Sequence, residues 1–190
     1  MKIGLYFGSF NPVHVAHLII ANHILNETDI EKIWFVVSPQ NPFKNESNLL
    51  NEYHRLHLVR LATEEDNRIK ASDIEFGLPK PSYTSATLAY LREKNPTHEF
   101  HIIMGSDSFQ NLSKWKNYET IIKNYPILVY KRPGFEIHET FGADVTILDA
   151  PLLQLSATQI RKYIKEGKPV RYMVPDKVLE EIEKGGYYKK

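Results

Sequence analysis

The chain reads IGLYFGSFNPVHVAH over residues 3–17, and this stretch decides the fold. Its apolar start, residues 3–7, predicts a buried β-strand, and a helical pattern runs over residues 13–27. Between them, small residues predict a tight turn, with Asn11 as the helix cap and Pro12 as the first helical residue. The stretch therefore predicts a strand, a turn and a helix in direct succession.

Two histidines follow this turn at a spacing of three. His14 and His17 therefore share one face of the first helical turn. The backbone N–H groups of a turn at Gly8, Ser9 and Phe10 carry partial positive charge, which attracts an anion. Two imidazoles beside an anion-binding turn indicate phosphate chemistry. The alternative is an ordinary strand-turn-helix that carries two histidines.

The bulk composition is that of a globular chain with no global preference for nucleic acid. The chain has 190 residues, 42% of them hydrophobic and 25% charged, enough for one domain with a real core. We expect a single domain over residues 1–190, with a core over about 1–150 and a C-terminal helical segment over about 151–190. The formal net charge of +1 supplies no field that would attract nucleic acid, so phosphate binding must come from a local site.

Residue types and segments that the chain lacks narrow its class further. With no cysteine, the chain cannot form a disulfide framework, a cysteine-ligated zinc site or a thiol nucleophile. It opens without the apolar core of a signal peptide and has no apolar run of about 18 residues. We therefore expect a cytoplasmic protein with no membrane partner.

Apolar runs alternate with helical patterns along the chain. The predicted strands cover residues 2–7, 33–37, 69–71, 100–104, 127–130 and 144–148. The predicted helices cover residues 13–27, 52–65, 84–94, 106–112, 118–124, 156–166 and 176–184. This alternation predicts an α/β fold, a Rossmann-like doubly wound parallel sheet with right-handed crossovers. Residues 185–190 are expected to fray.

Ligands of such sheets bind beyond the carboxyl ends of the strands. The turn at Gly8 lies at one such end, and Gly105-Ser106-Asp107 lies at another. We expect Asp107 to cap the helix that follows. There it either contacts the ribose or adenine of a nucleotide or serves as a plain helix cap.

A further anion site is predicted where the sequence reads LSATQIR, residues 155–161. Ser156 and Gln159 fit a capping box at the start of a helix. The amides and hydroxyls of that start, including Thr158, attract an anion, and the fork of Arg161 lies one turn further along. A plain capping box is the alternative.

Two of these segments resemble the signatures of the nucleotidyltransferase superfamily. GSFNPVHVAH resembles GxFxPxHxGH, with Ala16 in the place of a glycine. LSATQIR resembles ISSTxIR, with Ala157 in the place of a serine. The two signatures stand about 140 residues apart and in the expected order, which makes the pair far more specific than either alone.

Motifs between these signatures narrow the resemblance to the bacterial nicotinate-nucleotide adenylyltransferases. They are PQNPFK at 39–44, PSYT at 81–84, GSD at 105–107 and Trp115. The resemblance runs from residue 1 to about residue 165. Ser85 and Ala86 after PSYT, and Lys116 after Trp115, depart from the family pattern.

The resemblance implies that nicotinate mononucleotide attacks the α-phosphorus of ATP, giving nicotinate adenine dinucleotide and pyrophosphate. The implied catalytic residues are His17, a donor to the α-phosphate, His14, which holds neighbouring phosphates, and Arg161, which holds the leaving phosphates. The implied ATP-binding residues are Gly8, Ser9, Phe10, His14, His17, Lys44, Gly105, Asp107, Ser156, Thr158 and Arg161. The implied mononucleotide-binding residues are Tyr83, Thr84, Trp115 and Lys116.

The implied cofactor is Mg²⁺, held mostly by phosphate and water, so we expect no metal-binding residue. The implied partners are the small molecules ATP and nicotinate mononucleotide. Assembly into a homo-oligomer stays open.

Other functions stay open at this level. A sister enzyme would use nicotinamide mononucleotide, whereas one that uses phosphopantetheine is disfavoured by the PSYT segment and Trp115. A nucleotide-sensing module would bind ATP or NAD without catalysis, but it has no need of His14, His17 and Arg161. A hydride-transferring Rossmann enzyme is disfavoured because no GxGxxG follows the first strand.

Overall fold

A computed structural model describes residues 1–41, 47–151 and 153–190. Its strands are β1 (Lys2–Gly8), β2 (Lys32–Val37), β3 (Ile69–Ser72), β4 (Glu99–Gly105), β5 (Ile127–Tyr130) and β6 (Val145–Leu148). Its α-helices are α1 (Val15–Glu27), α2 (Glu52–Thr63), α3 (Thr84–Lys94), α4 (Ser106–Gln110), α5 (Tyr118–Asn124), α6 (Ala157–Lys165) and α7 (Asp176–Gly185). Two short 3-10 helices, Ile74–Gly77 and Leu112–Lys114, were not predicted from the sequence.

The six strands form one parallel sheet in the order β3-β2-β1-β4-β5-β6. The strand order runs outward in both directions from the central pair β1 and β4, as it does in a doubly wound fold. The predicted Rossmann-like fold is therefore confirmed. Parallel strands covered on both faces are apolar throughout, and residues 100–105 of β4 are all buried.

Alternating side chains of the central strands feed two hydrophobic clusters, one on each face of the sheet. On β1, Tyr6 belongs to one cluster and Leu5 to the other. The Tyr6 cluster includes Ile24, Val59, Ile160, Val178 and Ile182, from α1, α2, α6 and α7. The Leu5 cluster includes Leu88, Phe109 and Ile121, from α3, α4 and α5. The C-terminal helices thus pack on the same core as the first helix.

The buried guanidinium of Arg55, on α2, ties together two turns at the carboxyl edge of the sheet. Its side chain is 0% exposed. It donates to the backbone carbonyl oxygens of Ser9 at 2.6 Å, Ser38 at 2.8 Å, Pro39 at 3.0 Å and Leu50 at 2.7 Å. A buried charge is tolerated when its donors are satisfied, and these bonds fix the turns after β1 and β2 relative to α2.

The predicted start of α1 is wrong by three residues. The helix begins at Val15 with His14 as its N-cap, not at Pro12 with Asn11 as the cap. The side chain of Asn11 is used elsewhere. Its Nδ2 donates to the carbonyl of Asn48 at 3.1 Å, and its Oδ1 accepts the N–H of Leu50 at 3.1 Å. A contact distant in sequence has displaced the local cap.

The predicted fraying of residues 185–190 is also wrong for residues 185–188. The N–H of Tyr187 donates to the carbonyl of Ile182 at 3.0 Å. The hydroxyl of Tyr188 donates to Asn11 Oδ1 at 2.8 Å. Both tyrosine rings pack against the Tyr6 cluster. Burial of these rings therefore holds a segment that, as a chain terminus, was expected to be loose.

Replacing Arg55 by methionine tests the role of the buried guanidinium. The change leaves buried carbonyls without donors, so we expect the free energy of unfolding to fall by about 3 kcal/mol or more. Urea unfolding measures the loss. Arg60→Met on the same helix is the matched control. The side chain of Arg60 is exposed, and its ion pair with Asp73, at 3.8 Å, lies at the surface. The control should lose no more than about 0.5 kcal/mol, and an equal loss in both variants would contradict the assignment.

Candidate active site

Two adjoining cavities open at the carboxyl edge of the sheet, between β1 and β4. This is the point where the strand order reverses and where open α/β sheets bind ligands. The α1 cavity is lined by the turn after β1, the start of α1 and the start of α6. The α3 cavity is lined by the start of α3 and the segment after the second 3-10 helix. Residues that line both cavities are Tyr6, Phe7, Gly8, Ser108 and Tyr130.

The α1 cavity brings together most of the predicted ATP-binding residues from three distant parts of the chain. They are Gly8, Ser9, Phe10, His14, His17, Asp107, Ser156, Thr158 and Arg161. Gly105 lines the α3 cavity instead. Lys44 lies outside the described residues, so its predicted contact is not tested.

The imidazole of His17 is held in one tautomer by the helix start. The backbone N–H of His14 donates to His17 Nδ1 at 3.1 Å. A neutral His17 ring that accepts at Nδ1 carries its proton on Nε2. Edge-to-face contacts with Phe10 and Tyr6, at centroid distances of 5.0 and 5.9 Å, fix the plane of the ring. His17 is therefore a preoriented donor at Nε2.

The second histidine is buried and uncharged. The rings of His14 and His17 stack with centroids 3.8 Å apart. Burial, assisted by the charge of Arg132, lowers the pKa of His14 to about 4. Its Nδ1 is buried and has no hydrogen-bond partner among the described residues. The His14 side chain is turned towards the backbone N–H of His17 in the manner of a capping box, without a hydrogen bond at Nδ1.

Arg161 connects α6 to the turn after β1. Its guanidinium donates to the carbonyl of Asn11 at 2.8 Å and to Thr158 Oγ1 at 3.4 Å. The predicted cap is confirmed, because Ser156 Oγ accepts the N–H of Gln159 at 3.2 Å. The guanidinium of Arg161 was predicted to bind an anion through two of its nitrogens, but each of these nitrogens donates to a protein oxygen. These bonds hold the guanidinium at the rim of the α1 cavity.

The prediction that Asp107 caps a helix is wrong. Gly105 is the N-cap of α4, and Asp107 is its second residue. The carboxylate of Asp107 instead pairs with Arg132 at 2.8 Å, and Ser106 Oγ accepts the backbone N–H of Arg132 at 2.8 Å. A Cβ at position 105 would lie 2.5 Å from Asp107 Oδ1, so any larger residue there would displace this carboxylate.

Arg132 was missed by the sequence analysis. It lines the α1 cavity and follows β5 at the same edge of the sheet as the other site segments. That position was the available signal, because every βα turn of a parallel sheet meets at the carboxyl edge. Its positive charge lowers the pKa values of His14, Tyr6 and Tyr130. On the two tyrosines this effect opposes burial, which raises their pKa values.

The α3 cavity brings together all four predicted mononucleotide residues. Tyr83 is the N-cap of α3, Thr84 is its first residue, and Trp115 and Lys116 follow the second 3-10 helix. The Nζ of Lys116 lies 4.6 Å from the centre of the Tyr83 ring, a cation–π contact. The cavity thus combines an indole, a helix N-terminus and a positive charge.

Glu75 is a second lining residue that the sequence analysis missed. It lies in the first 3-10 helix and is 2% exposed. Its Oε1 accepts the hydroxyl of Thr87 at 2.7 Å, whereas its Oε2 has no hydrogen-bond partner among the described residues. No hydrophobic periodicity marks this short segment, so the sequence offered no signal for a buried carboxylate.

Two further findings concern the described parts of the chain. They contain no cluster of three or more histidine, cysteine, aspartate or glutamate residues that could hold a metal ion. None of their helices is long and apolar enough to cross a membrane.

A doubly wound parallel sheet with histidines, an arginine and a helix N-terminus at its switch point defines a nucleotide-binding α/β protein. The family model described as cytidylyltransferase-like matches residues 5–163. The chain therefore belongs to the cytidylyltransferase-like family, and within it to the nicotinate-nucleotide adenylyltransferases, as the following relatives show. It is a nucleotidyl-transferring enzyme.

Curated relatives match the chain over its full length. One from Flavobacterium johnsoniae is named a probable nicotinate-nucleotide adenylyltransferase and is 50% identical over 193 residues, covering 100% of both chains. One from Bacteroides thetaiotaomicron carries the same name and is 44% identical, covering 96% of this chain and 91% of its own. The nicotinic acid mononucleotide adenylyltransferase of Plasmodium falciparum, solved in complex with NaAD, shares the fold with a TM-score of 0.84. It is 22% identical and covers 98% of this chain and 97% of its own.

The buried, neutral state of His14 predicts a pH dependence of stability. Its folded pKa of about 4 lies below the unfolded value of about 6.5, so between these values the unfolded state binds more protons. The stabilisation is complete above pH 6.5 and is lost as the pH falls towards 4. From pH 7.5 to pH 4.5 we expect His14 to account for about 2 kcal/mol of lost stability.

Urea unfolding of the wild type and of His14→Gln at both pH values measures this contribution. The wild type should lose about 2 kcal/mol more than the variant on acidification. The exposed His57, replaced by glutamine, is the control and should follow the wild type. Parallel losses in the wild type and His14→Gln would show that His14 is not the titrating group.

Proposed function

We propose that the protein transfers the adenylyl group of ATP to nicotinate mononucleotide, a step of NAD biosynthesis. A phosphate oxygen of the mononucleotide attacks the α-phosphorus, the bond between the α-phosphorus and the bridging oxygen breaks, and pyrophosphate leaves. The observation that carries the proposal is the pair of adjoining cavities. One is lined by histidines and an arginine and the other by an indole beside a helix N-terminus. The names of the full-length relatives agree with it.

The α1 cavity would hold the phosphates of ATP. Phosphoryl transfer needs positioning and charge stabilisation more than covalent chemistry. In this proposal His17 donates its Nε2 proton in a hydrogen bond to the α-phosphate, where negative charge develops in the transition state. The uncharged His14, which lines the same cavity, would contact a neighbouring phosphate.

The turn after β1 would supply backbone donors to the same phosphates. Arg55 holds the carbonyl of Ser9 from one side. In a trans peptide the carbonyl and the following N–H point in opposite directions, so the N–H of Phe10 points away from Arg55. The side chain of Phe10 is buried against Phe35, with centroids 5.1 Å apart, which leaves the peptide as the part of Phe10 that a ligand can meet.

The start of α6 would hold the β- and γ-phosphates. Ser156, Thr158 and Arg161 lie together at the rim of the α1 cavity. A divalent cation, proposed to be Mg²⁺, would be held by the phosphates and water. Of the described residues that line this cavity, only Asp107 carries a carboxylate, and Arg132 pairs with it. The cation would neutralise charge on the leaving pyrophosphate.

The α3 cavity would hold nicotinate mononucleotide. Trp115 would stack on the pyridine ring, and backbone N–H groups near Thr84 and Lys116 would receive its carboxylate. Lys116, held over Tyr83, adds a positive charge at the same cavity.

One observation favours nicotinamide mononucleotide as a second candidate substrate. Glu75 lines the α3 cavity, and its Oε2 has no hydrogen-bond partner within the described parts of the chain. A carboxylate oxygen accepts from an amide NH₂ but repels a second carboxylate. Kinetics with both mononucleotides therefore decide between the acid and the amide.

Substitutions at His17 test the proposed donor. Asparagine places an acceptor near the Nδ1 position, so His17→Asn can keep the helix cap while losing the Nε2 donor. We expect kcat to fall by about 10²–10³ in this variant, as for the loss of an oxyanion donor. Glutamine places an amide near the Nε2 position, so His17→Gln should recover part of the loss. Pyrophosphate release measures kcat, and thermal melting controls for folding. A folded His17→Asn enzyme with wild-type kcat would exclude the role.

Substrate preference tests the α3 cavity. The wild type should prefer nicotinate over nicotinamide mononucleotide by about tenfold or more in kcat/KM, since one buried donor–donor mismatch costs about 1–3 kcal/mol. Trp115→Ala should lower kcat/KM for both substrates and keep most of the acid-to-amide ratio, because stacking on the ring does not distinguish the carboxylate from the amide. Glu75→Gln leaves the ratio nearly unchanged if Glu75 serves only Thr87. Equal use of acid and amide by the wild type would place the second candidate first.

A further inference from the structure

Two tyrosine hydroxyls meet where the two cavities adjoin. Tyr6 on β1 and Tyr130 at the end of β5 line both cavities. The Tyr6 hydroxyl donates to the Tyr130 hydroxyl oxygen at 3.2 Å. The two strands are not neighbours, because β4 lies between them. The two side chains therefore bridge the switch point of the sheet above β4.

A glycine on β4 makes this bridge possible. Gly105 is the register partner of Tyr130. A Cβ at position 105 would lie 3.1 Å from Cε2 of the Tyr130 ring, so a side chain there would push the phenol away. The ring of Tyr130 reaches across this glycine towards Tyr6, with centroids 6.0 Å apart.

The direction of the hydrogen bond leaves Tyr130 as a donor. A phenol carries one proton. When the buried Tyr6 hydroxyl donates to Tyr130, the proton of Tyr130 is left for a different acceptor. Burial raises the pKa of Tyr6 and of Tyr130, which keeps both phenols protonated at neutral pH. Tyr6 is 3% exposed, whereas the ring of Tyr130 is only partly buried and can meet a ligand.

We propose that Tyr130 donates its hydroxyl proton in a hydrogen bond to a non-attacking oxygen of the mononucleotide phosphate, and that Tyr6 orients it. This inference rests on the proposed function, because two nucleotides that occupy the two cavities must join their phosphates at the shared boundary. Tyr130 touches the substrate in this proposal, whereas Tyr6 is a positioning residue. The contact aligns the mononucleotide phosphate with the α-phosphorus of ATP.

Binding measurements with a matched pair of ligands test the contact independently of turnover. Nicotinate mononucleotide carries the phosphate, and nicotinate riboside lacks it. Tyr130→Phe should weaken binding of the mononucleotide about tenfold to a hundredfold, the value of a hydrogen bond to a charged group. Binding of the riboside should change less than about twofold. Equal weakening of both ligands, or of neither, in isothermal titration would overturn the proposal.

A double-mutant cycle tests the role of Tyr6. Tyr6→Phe should lower kcat/KM for the mononucleotide by less than Tyr130→Phe does, because the Tyr130 hydroxyl remains. The double variant should be no worse than Tyr130→Phe alone, since Tyr6 acts only through that hydroxyl. Additive losses of kcat/KM in the double variant would contradict the proposal that Tyr6 acts through the Tyr130 hydroxyl. Tyr125→Phe is the control, because its hydroxyl bonds to the carbonyl of Leu88 at 3.3 Å outside both cavities, and it should leave kcat/KM unchanged.

The proposed function and this inference fail in different ways. A wild-type enzyme that neither binds nicotinate mononucleotide nor releases pyrophosphate with it would overturn both. A wild type that turns over normally while Tyr130→Phe matches it in affinity and kcat/KM would overturn the inference alone. A purely structural bridge between β1 and β5 would lower the melting temperature without separating the mononucleotide from the riboside.

Discussion

The guanidinium of Arg55 is the constraint on which the carboxyl edge of the sheet depends. Backbone turns after parallel strands leave carbonyls that no strand partner satisfies, and burying them costs free energy. Arg55 satisfies carbonyls in the turns after β1 and β2 with one planar group. By fixing the carbonyl of Ser9, it also fixes the orientation of the peptide that follows. A residue that touches no proposed ligand therefore shapes the turn on which the α1 cavity is built.

Asn11 links the turn after β1 to the C-terminal part of the chain. Its carbonyl accepts from Arg161 and its side chain accepts from Tyr188, while its amide donates to Asn48. The first turn of the chain and its last helices are thus joined at one residue. The arginine of the second signature is held in place by a residue of the first, which gives a physical reason for both signatures to occur in one chain.

Much of the fold follows from local patterns, and the errors have a common cause. The bounds of α3 and β5 were predicted correctly, because each is a periodic or apolar run with clear breaks. The cap at Asn11, the cap at Asp107 and the frayed tail were predicted incorrectly. In each case a partner far along the chain competes with the local interaction: Leu50 for Asn11, Arg132 for Asp107, and the Tyr6 cluster for the tail. Glu75 was missed because an isolated buried side chain carries no periodic signal.

The shared wall of the two cavities has a consequence for tight binding. When one half of a molecule that spans both cavities is bound, the other half is held next to the second cavity. The effective concentration of that half is then far above what free solution supplies, and the two affinities combine. A molecule made of two linked fragments, each fitting one cavity, therefore gains avidity that neither fragment has alone. The linker of such a molecule would pass residues that line both cavities, such as Gly8 and Ser108.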